Sequence, residues 1–288
     1  MTGGPLERLG RVYQPAAVEV DAARALAYAA ATNDDNPAYA HGDVLPPLFG
    51  VVPAWSAFLA AVDDLVPEES LPMLLHAGHD MTFHRPLVPG TSVTSTARLA
   101  GVRDARVGTW MSLAIRTVDP AGELLVEQVA TLFVRGLEAG GTGGEPMPSH
   151  TFAAAGRTPE AHVADVAGRI DFDQTFRYAE ASLDRNAIHL DEAVAKAAGL
   201  PGIIVHGMCT MATCGRCVVD AVAGRDPRRL RRLAVRFSQP VMPGTDVVTS
   251  IYRSEGGEAA GLAASVYAFE ATSGGARVVK DGLAVLAP

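Results

Sequence analysis

Three residues within one short segment have side chains suited to proton transfer around a water. The segment SLDRNAIHLDE, Ser182 to Glu192, carries Asp184, Asn186 and His189. A carboxylate can serve as acid or base, an imidazole titrates near neutral pH, and an amide can hold a water or a backbone group. Asp184 and His189 are too far apart in sequence to share one face of a regular helix. A turn between them would let both reach one point. The same letters also spell ordinary local structure. Asp184 and Asn186 suit a turn, and Asp191 suits the N-cap of a short amphipathic helix that stops at Gly199. Farther on, His206-Gly207 opens the apolar stretch GMCTMATCGRCVVDAVAG. Glycine at a helix start leaves backbone N–H groups open to an anion or a developing oxyanion. It equally permits close packing of helix on sheet.

The remaining reactive residues are fewer. Cys209, Cys214 and Cys217 sit in that one stretch, with no Cys/His pair elsewhere placed to complete a zinc site. They read as buried or inert thiols in a reducing compartment, and a cytoplasmic protein is expected. The chain has 288 residues, is 48% hydrophobic and 19% charged, and carries a net charge of −8. This is globular composition, and the acidity argues against a nucleic-acid partner. The opening MTGGPLERLG does not read as a secretory signal, and no apolar run reads as a membrane span. Arginines gather in RDPRRLRR, Arg225 to Arg232. They could hold a small anionic ligand or form a solvated face.

Elements that position these residues come in two similar sets. PLVPGT (Pro86–Thr91) matches PVMPGT (Pro240–Thr245), and Pro86 and Pro240 are 154 residues apart. NDDNPAY and LDRNAIH follow comparable helical segments, with Asp34 and Asp184 150 apart. Behind each set come alternating segments separated by DPAGE and SGGA, the pattern of an antiparallel meander. A glycine- and proline-rich linker over 137–150 divides a first repeat, 1–136, from a second, 151–288. The expected architecture is α+β, a tandem in which each half is an antiparallel sheet wrapped around a long helix.

Tyr178, Ser182, Asp184, Asn186, His189, Ala195, Ala198, Gly199, His206 and Gly207 fall in register with a family motif, Y-x-x-x-S-G-D-x-N-P-x-H followed by A-x-x-A-G and H-G-[LM]. On these residues the chain resembles the MaoC-like enoyl-CoA hydratases, or hydratase 2, in their two-hot-dog form. Leu183 stands where that family has Gly, and Ala187 where it has Pro. The resemblance implies a double hot-dog fold and a hydro-lyase. The implied reaction is reversible hydration of trans-2-enoyl thioesters to (R)-3-hydroxyacyl thioesters, in fatty acid, polyketide or other secondary metabolism. It implies Asp184 and His189 gripping one water, Asn186 fixing the loop or the water, and the Gly207 N–H on the thioester oxygen. It implies no metal or cofactor, only a substrate carried on coenzyme A or acyl carrier protein. Arg228, Arg229, Arg231 and Arg232 are candidates for the carrier phosphates. The first half carries Tyr39 where the second has His189 and is expected to be silent, with Leu48, Phe49, Gly50, Val51 and Trp55 free to line an acyl pocket. A homodimer is expected. The alternatives are a hot-dog thioesterase and a non-catalytic acyl-thioester-binding partner subunit.

Overall fold

The computed structural model describes residues 4–148, 157–254 and 264–288. In chain order it has strands β1 (Val12–Tyr13) and β2 (Val18–Glu19), and helices α1 (Ala22–Ala31) and α2 (Val51–Leu65). Then come β3 (Leu74–Phe83), β4 (Ser92–Ala105), β5 (Gly108–Val118), β6 (Leu124–Arg135) and β7 (Gly143–Gly144). The second half repeats the plan: β8 (His162–Gly168), α3 (Gln174–Ser182), α4 (Glu192–Ala197), α5 (Gly207–Val222), β9 (Leu230–Phe237), β10 (Val247–Arg253), β11 (Ser265–Ser273) and β12 (Ala276–Leu286). Each half is an antiparallel sheet around one long helix, α2 or α5, as expected for a tandem hot-dog.

Local sequence explains the helix starts. Asp21 and Asp191 each accept two backbone N–H bonds at a helix N-terminus, from Ala23 and Arg24 and from Ala193 and Val194 respectively. Helix α5 can lie deep because its inward residues are small. A side chain at Gly215 would start 2.9 Å from Leu233 of β9. Apolar residues of α1, α3, α5, β9 and β12 join Leu48, Phe49 and Val51 in one cluster, so the core is continuous across the halves.

The two half-sheets are one sheet. β3 of the first half pairs with β9 of the second, in the order β1-β4-β5-β6-β3-β9-β12-β11-β10-β8. In this pairing Asp80 lies opposite Ala234, and the residues on either side pair Gly78 with Arg236 and Thr82 with Arg232. Asp80 and Ala234 are 154 apart, the same offset as Pro86 and Pro240. The internal two-fold axis therefore passes through this pair. Tyr28 and Tyr178, 150 apart, touch hydroxyl to hydroxyl at 3.3 Å on the same axis.

Two expectations need correction. The described part of the expected linker, residues 137–148, is laid along the first sheet: Gly143–Gly144 pairs with Gly101 and Val102, and Ala139 is buried. Residues 149–156, which hold the expected boundary between linker and second repeat, lie outside the described residues. And one helix, Pro47–Leu65 with mean hydropathy 1.5, is long and apolar enough to cross a membrane by length and composition. It contains α2, whose inward face packs against β4 and β5, so its apolarity has a use in the core.

Candidate active site

The loop carrying Asp184 begins with a left-handed turn. Helix α3 ends at Leu183 with φ 73° and ψ −1°. Leucine there costs roughly 1–2 kcal/mol because its Cβ crowds the carbonyl, which is why glycine suits this position. The first half makes the same turn at Asn33, φ 53°, with a residue that tolerates it better.

After the turn, Asp184 Oδ1 accepts the N–H of Asn186 at 3.1 Å, and Asn186 Oδ1 accepts the N–H of Ile188 at 3.2 Å. These two bonds curl the chain into the short turn Ala187–His189 and carry His189 back beside Asp184. The turn-forming and the chemical readings of these residues are thus one arrangement. Asn186 is spent on the loop and is itself exposed.

Two histidines complete the cluster. His189 Nδ1 lies 2.8 Å from the carbonyl of Ile204. A carbonyl only accepts, so Nδ1 carries the hydrogen and Nε2 of the neutral ring presents a lone pair. His206 stacks on His189 at 3.8 Å, donates from Nε2 to the backbone carbonyl of Asp184 at 3.0 Å, and meets Thr175 Oγ1 through Nδ1 at 3.2 Å. Thr175 Oγ1 also donates to the carbonyl of His189 at 2.9 Å. His206 thus shapes the turn, as its sequence position suggests, by tying both limbs of the loop. Thr175 was not foreseen. Its signal is a polar residue on the buried face of α3, one turn before Tyr178.

The Asp184 carboxylate and ring nitrogens of His189 and His206 lie within 4.8 Å of one another. His206 Nε2 is spent on the Asp184 carbonyl and its Nδ1 faces Thr175 Oγ1, so Asp184 and His189 Nε2 are the groups best placed to hold a guest. Burial raises the Asp184 pKa, opposed by the attraction of His189 and by the Asn186 N–H. Burial lowers the pKa of His189, opposed by Asp184 and the Ile204 carbonyl. The imidazole is therefore held neutral at neutral pH, as a base must be.

Gly207 is the first residue of α5, with His206 as its N-cap. Its N–H is among the four that a helix cannot bond internally, at the positive end of the dipole. The glycine also gives room: a Cβ would sit 3.2 Å from the Phe237 ring.

The first half keeps the loop and loses the chemistry. Asn36 N–H bonds Asp34 Oδ1 and Asn36 Oδ1 caps Ala38, as in the second half. Tyr39 then donates to Asp34 Oδ2 at 3.1 Å. Burial and Asp34 push the Tyr39 phenol far above its ordinary range, so it cannot act as a base near neutrality. The cavity beside this pair has a volume of about 20 Å³, room for one water. Asp34→Asn should leave kcat nearly unchanged. Steady-state rates would decide this, and a loss comparable to that of Asp184→Asn would mean a second working site.

Other expected site residues are placed differently. Leu48, Phe49, Gly50 and Val51 are buried core, and the carbonyl of Gly50 is bonded to Gln128. Leu48 also lines the cavity beside Asp34 and Tyr39. Trp55 is half-buried on the outer part of α2, stacked on Phe58. Arg232 is engaged with both carboxylate oxygens of Asp80, and Arg228 with Asp226. Arg229 Nε donates to the carbonyl of Ala287, and Arg231 is exposed on β9. Arg228 and Arg229 follow the C-terminal end of α5, about 24 Å from Gly207 by helix rise. They cannot contact a group bound at Gly207 directly. The three cysteines are buried and free, and burial pushes the thiols of Cys209 and Cys214 up to about 12.

Both halves of the chain resemble known proteins. Residues 151–267 match the MaoC like domain, and residues 39–136 match the MFE-2 hydratase 2 N-terminal domain. The chain belongs to the MaoC-like hydratase 2 family, in its two-hot-dog form. Over 191 residues it is 33% identical to 3-hydroxyacyl-thioester dehydratase Y of Mycobacterium tuberculosis, covering 65% of this chain and 64% of that protein. It is 28% identical to the peroxisomal enoyl-CoA hydratase 2 of Arabidopsis thaliana, covering 62% of this chain and 60% of that one. The matches thus span less than two thirds of these relatives' lengths. A MaoC-like dehydratase from Phytophthora capsici superposes with a TM-score of 0.81 at 22% identity, over 98% of this chain and 96% of that one.

Proposed function

We propose that the protein catalyses reversible hydration of trans-2-enoyl thioesters, giving (R)-3-hydroxyacyl thioesters, or the reverse dehydration. The observation that carries this reading is the convergence of Asp184 and His189 beside the free N-terminus of α5, with the His189 tautomer set by Ile204. Relatives named for hydration of enoyl-CoA and dehydration of hydroxyacyl thioesters support it.

The residues divide the work. A water held between the Asp184 carboxylate and His189 Nε2 gives up a proton and attacks Cβ of the conjugated alkene. A proton reaches Cα from the same pair, so the catalytic groups end as they began. As Cβ is attacked, negative charge moves to the thioester oxygen, where the Gly207 N–H can receive it. His206 and Thr175 hold the loop so that the water is met at the right distance.

The carrier is coenzyme A or acyl carrier protein, with no resident metal or cofactor. Three buried thiols support a reducing, cytoplasmic setting, and a homodimer without nucleic-acid or membrane partners fits the acidic composition. Roles in polyketide or other secondary metabolism also fit the Leu183 and Ala187 departures from the family motif. Incubation with crotonyl-CoA tests the reaction. Loss of enoyl absorbance with chiral 3-hydroxybutyryl-CoA as product supports hydration, and release of free thiol would point to thioester hydrolysis.

The oxyanion donor has its own test. Gly207→Pro removes the N–H at a helix position that tolerates proline, and His206 already has the extended ψ of 138° that precedes proline well. Gly207→Ala adds the same Cβ but keeps the N–H. Turnover should fall by roughly 10²–10³-fold in the proline variant and much less in the alanine variant. Equal rates in the two would remove Gly207 from the mechanism.

A further inference from the structure

One end of the first half's sheet carries an apolar and basic surface that the chemistry above does not use. In register across four strands lie Arg103 of β4, Trp110 of β5, Phe133 of β6 and Leu75 of β3. Residues directly opposite in an antiparallel sheet share a face, so these four side chains form one row. Their chain neighbours Met111, Leu132 and Val134 go into the core with α2, so the row faces away from it. Trp110 and Phe133 lie 4.8 Å apart between ring centroids, and the Arg103 guanidinium sits 5.4 Å from the Trp110 ring centre. Phe133 leans over Gly108, where a Cβ would meet the ring at 2.9 Å. Leu75 is 45% exposed, and Val107, in the turn between β4 and β5, is 56% exposed.

The charge here is as unusual as the apolar surface. Arg135 lies two residues beyond Phe133 on the same face, and Arg106 stands in the turn beside Val107. Arg103, Arg106 and Arg135 are all exposed. Among the described residues none of the three has a carboxylate partner. Other arginines of the same sheet do: Arg85 pairs with Glu123, Arg98 with Glu145 and Arg116 with Glu127. Asp104 accepts the N–H of Ala139, and Glu138 lies exposed beyond β6, neither within ion-pair distance of an arginine. In a chain of net charge −8 such a grouping is a local exception.

The row ends near the candidate active site. Leu75 is followed by His76, whose ring meets Phe237 at 5.5 Å between centroids, and Phe237 lies against Gly207. With neighbouring strands about 4.8 Å apart, Arg103 is roughly 14 Å from Leu75 across the sheet.

We infer that this row is the docking surface for an acidic acyl carrier protein, the form in which the enoyl thioester arrives. The inference rests on the enoyl-thioester reading. The shape favours a protein over the nucleotide end of coenzyme A. Small ligands are held in concave sites, and this is an open sheet face. Tryptophan, phenylalanine and arginine side by side are the composition of a protein-binding patch. Unpaired arginines attract an acidic surface and set its orientation.

The test presents one acyl group on three carriers: crotonyl-pantetheine, crotonyl-CoA and crotonyl loaded on a free-standing acidic acyl carrier protein. Arg103→Glu, Arg106→Glu and Arg135→Glu, combined in one variant, reverse the patch without touching a residue placed in the chemistry. Circular dichroism and melting should match the wild type, since the three side chains are exposed. With the carrier protein, kcat/KM should fall by roughly tenfold or more, through KM. Crotonyl-pantetheine and crotonyl-CoA should be turned over as by the wild type. Added salt should weaken wild-type action on the carrier protein in the same selective way. An equal loss with crotonyl-CoA would make the arginines a site for its phosphates and overturn the inference. A variant that keeps the wild-type rate on the carrier protein would do the same, as would a wild type that hydrates crotonyl-CoA and ignores the carrier-bound group. Absence of 3-hydroxyacyl product from all three thioesters would instead refute the enoyl-thioester reading, and the inference with it.

Discussion

Asp184→Asn and His189→Ala should each lower kcat by roughly 10²–10⁴-fold, the usual worth of a positioned acid or base. The fold should survive both. Asparagine at 184 can still accept the Asn186 N–H that makes the turn, and circular dichroism and melting would show this. The double variant should lose far less than the product of the singles, because the two side chains act on one water. The pH profile adds a signature. His189 must be neutral to accept a proton, and its burial lowers its pKa. The acid limb of kcat/KM should therefore fall below the ordinary imidazole value of about 6.5. A limb above that value, or near-wild-type turnover in either single variant, would remove the pair from the mechanism.

Acid should destabilise the protein through its buried imidazoles. His76, His79, His189 and His206 are all held below the ordinary imidazole pKa, chiefly by burial, with His79 near 4 and His76 near 3. In the unfolded chain these groups titrate near 6.5. Between the two values the unfolded state binds more protons, so stability is full above pH 6.5 and is lost as pH falls toward the native values. His76 keeps some solvent-facing surface, so its share is smaller than that of His79. The melting temperature should drop by roughly 10 °C between pH 7 and pH 5. Replacing His79 with leucine should flatten that slope, whatever it does to stability at pH 7. A melting temperature constant over this interval would contradict the assignment of neutral, buried imidazoles.

The candidate catalytic loop was legible because its chemistry and its turn use the same local residues. Asp184, Asn186 and His189 make the loop with bonds two residues long, which a sequence can display. The long strands β4, β5, β6 and β10 to β12 were legible through alternation. The joining strands β3 and β9 were not. In LRRLAVRF the arginines interrupt the apolar pattern, and their partners, Asp80 and Asp281, lie on neighbouring strands. In LLHAGHDMTF a register shift near Gly78 breaks the alternation. Leu48 to Val51 were legible only as an apolar run, which does not display that Leu48, Phe49 and Val51 join the core shared by the two halves.

The antiparallel seam between β3 and β9 has an evolutionary consequence. In a symmetric pair of separate chains, every substitution would appear twice, at both sites and on both walls. Joining the copies within one chain removes that constraint. Trp55 can be bulky while its counterpart Ala212 stays small, and Tyr39 can replace histidine without harming His189. Selection can then act on one half without its effect being doubled in the other.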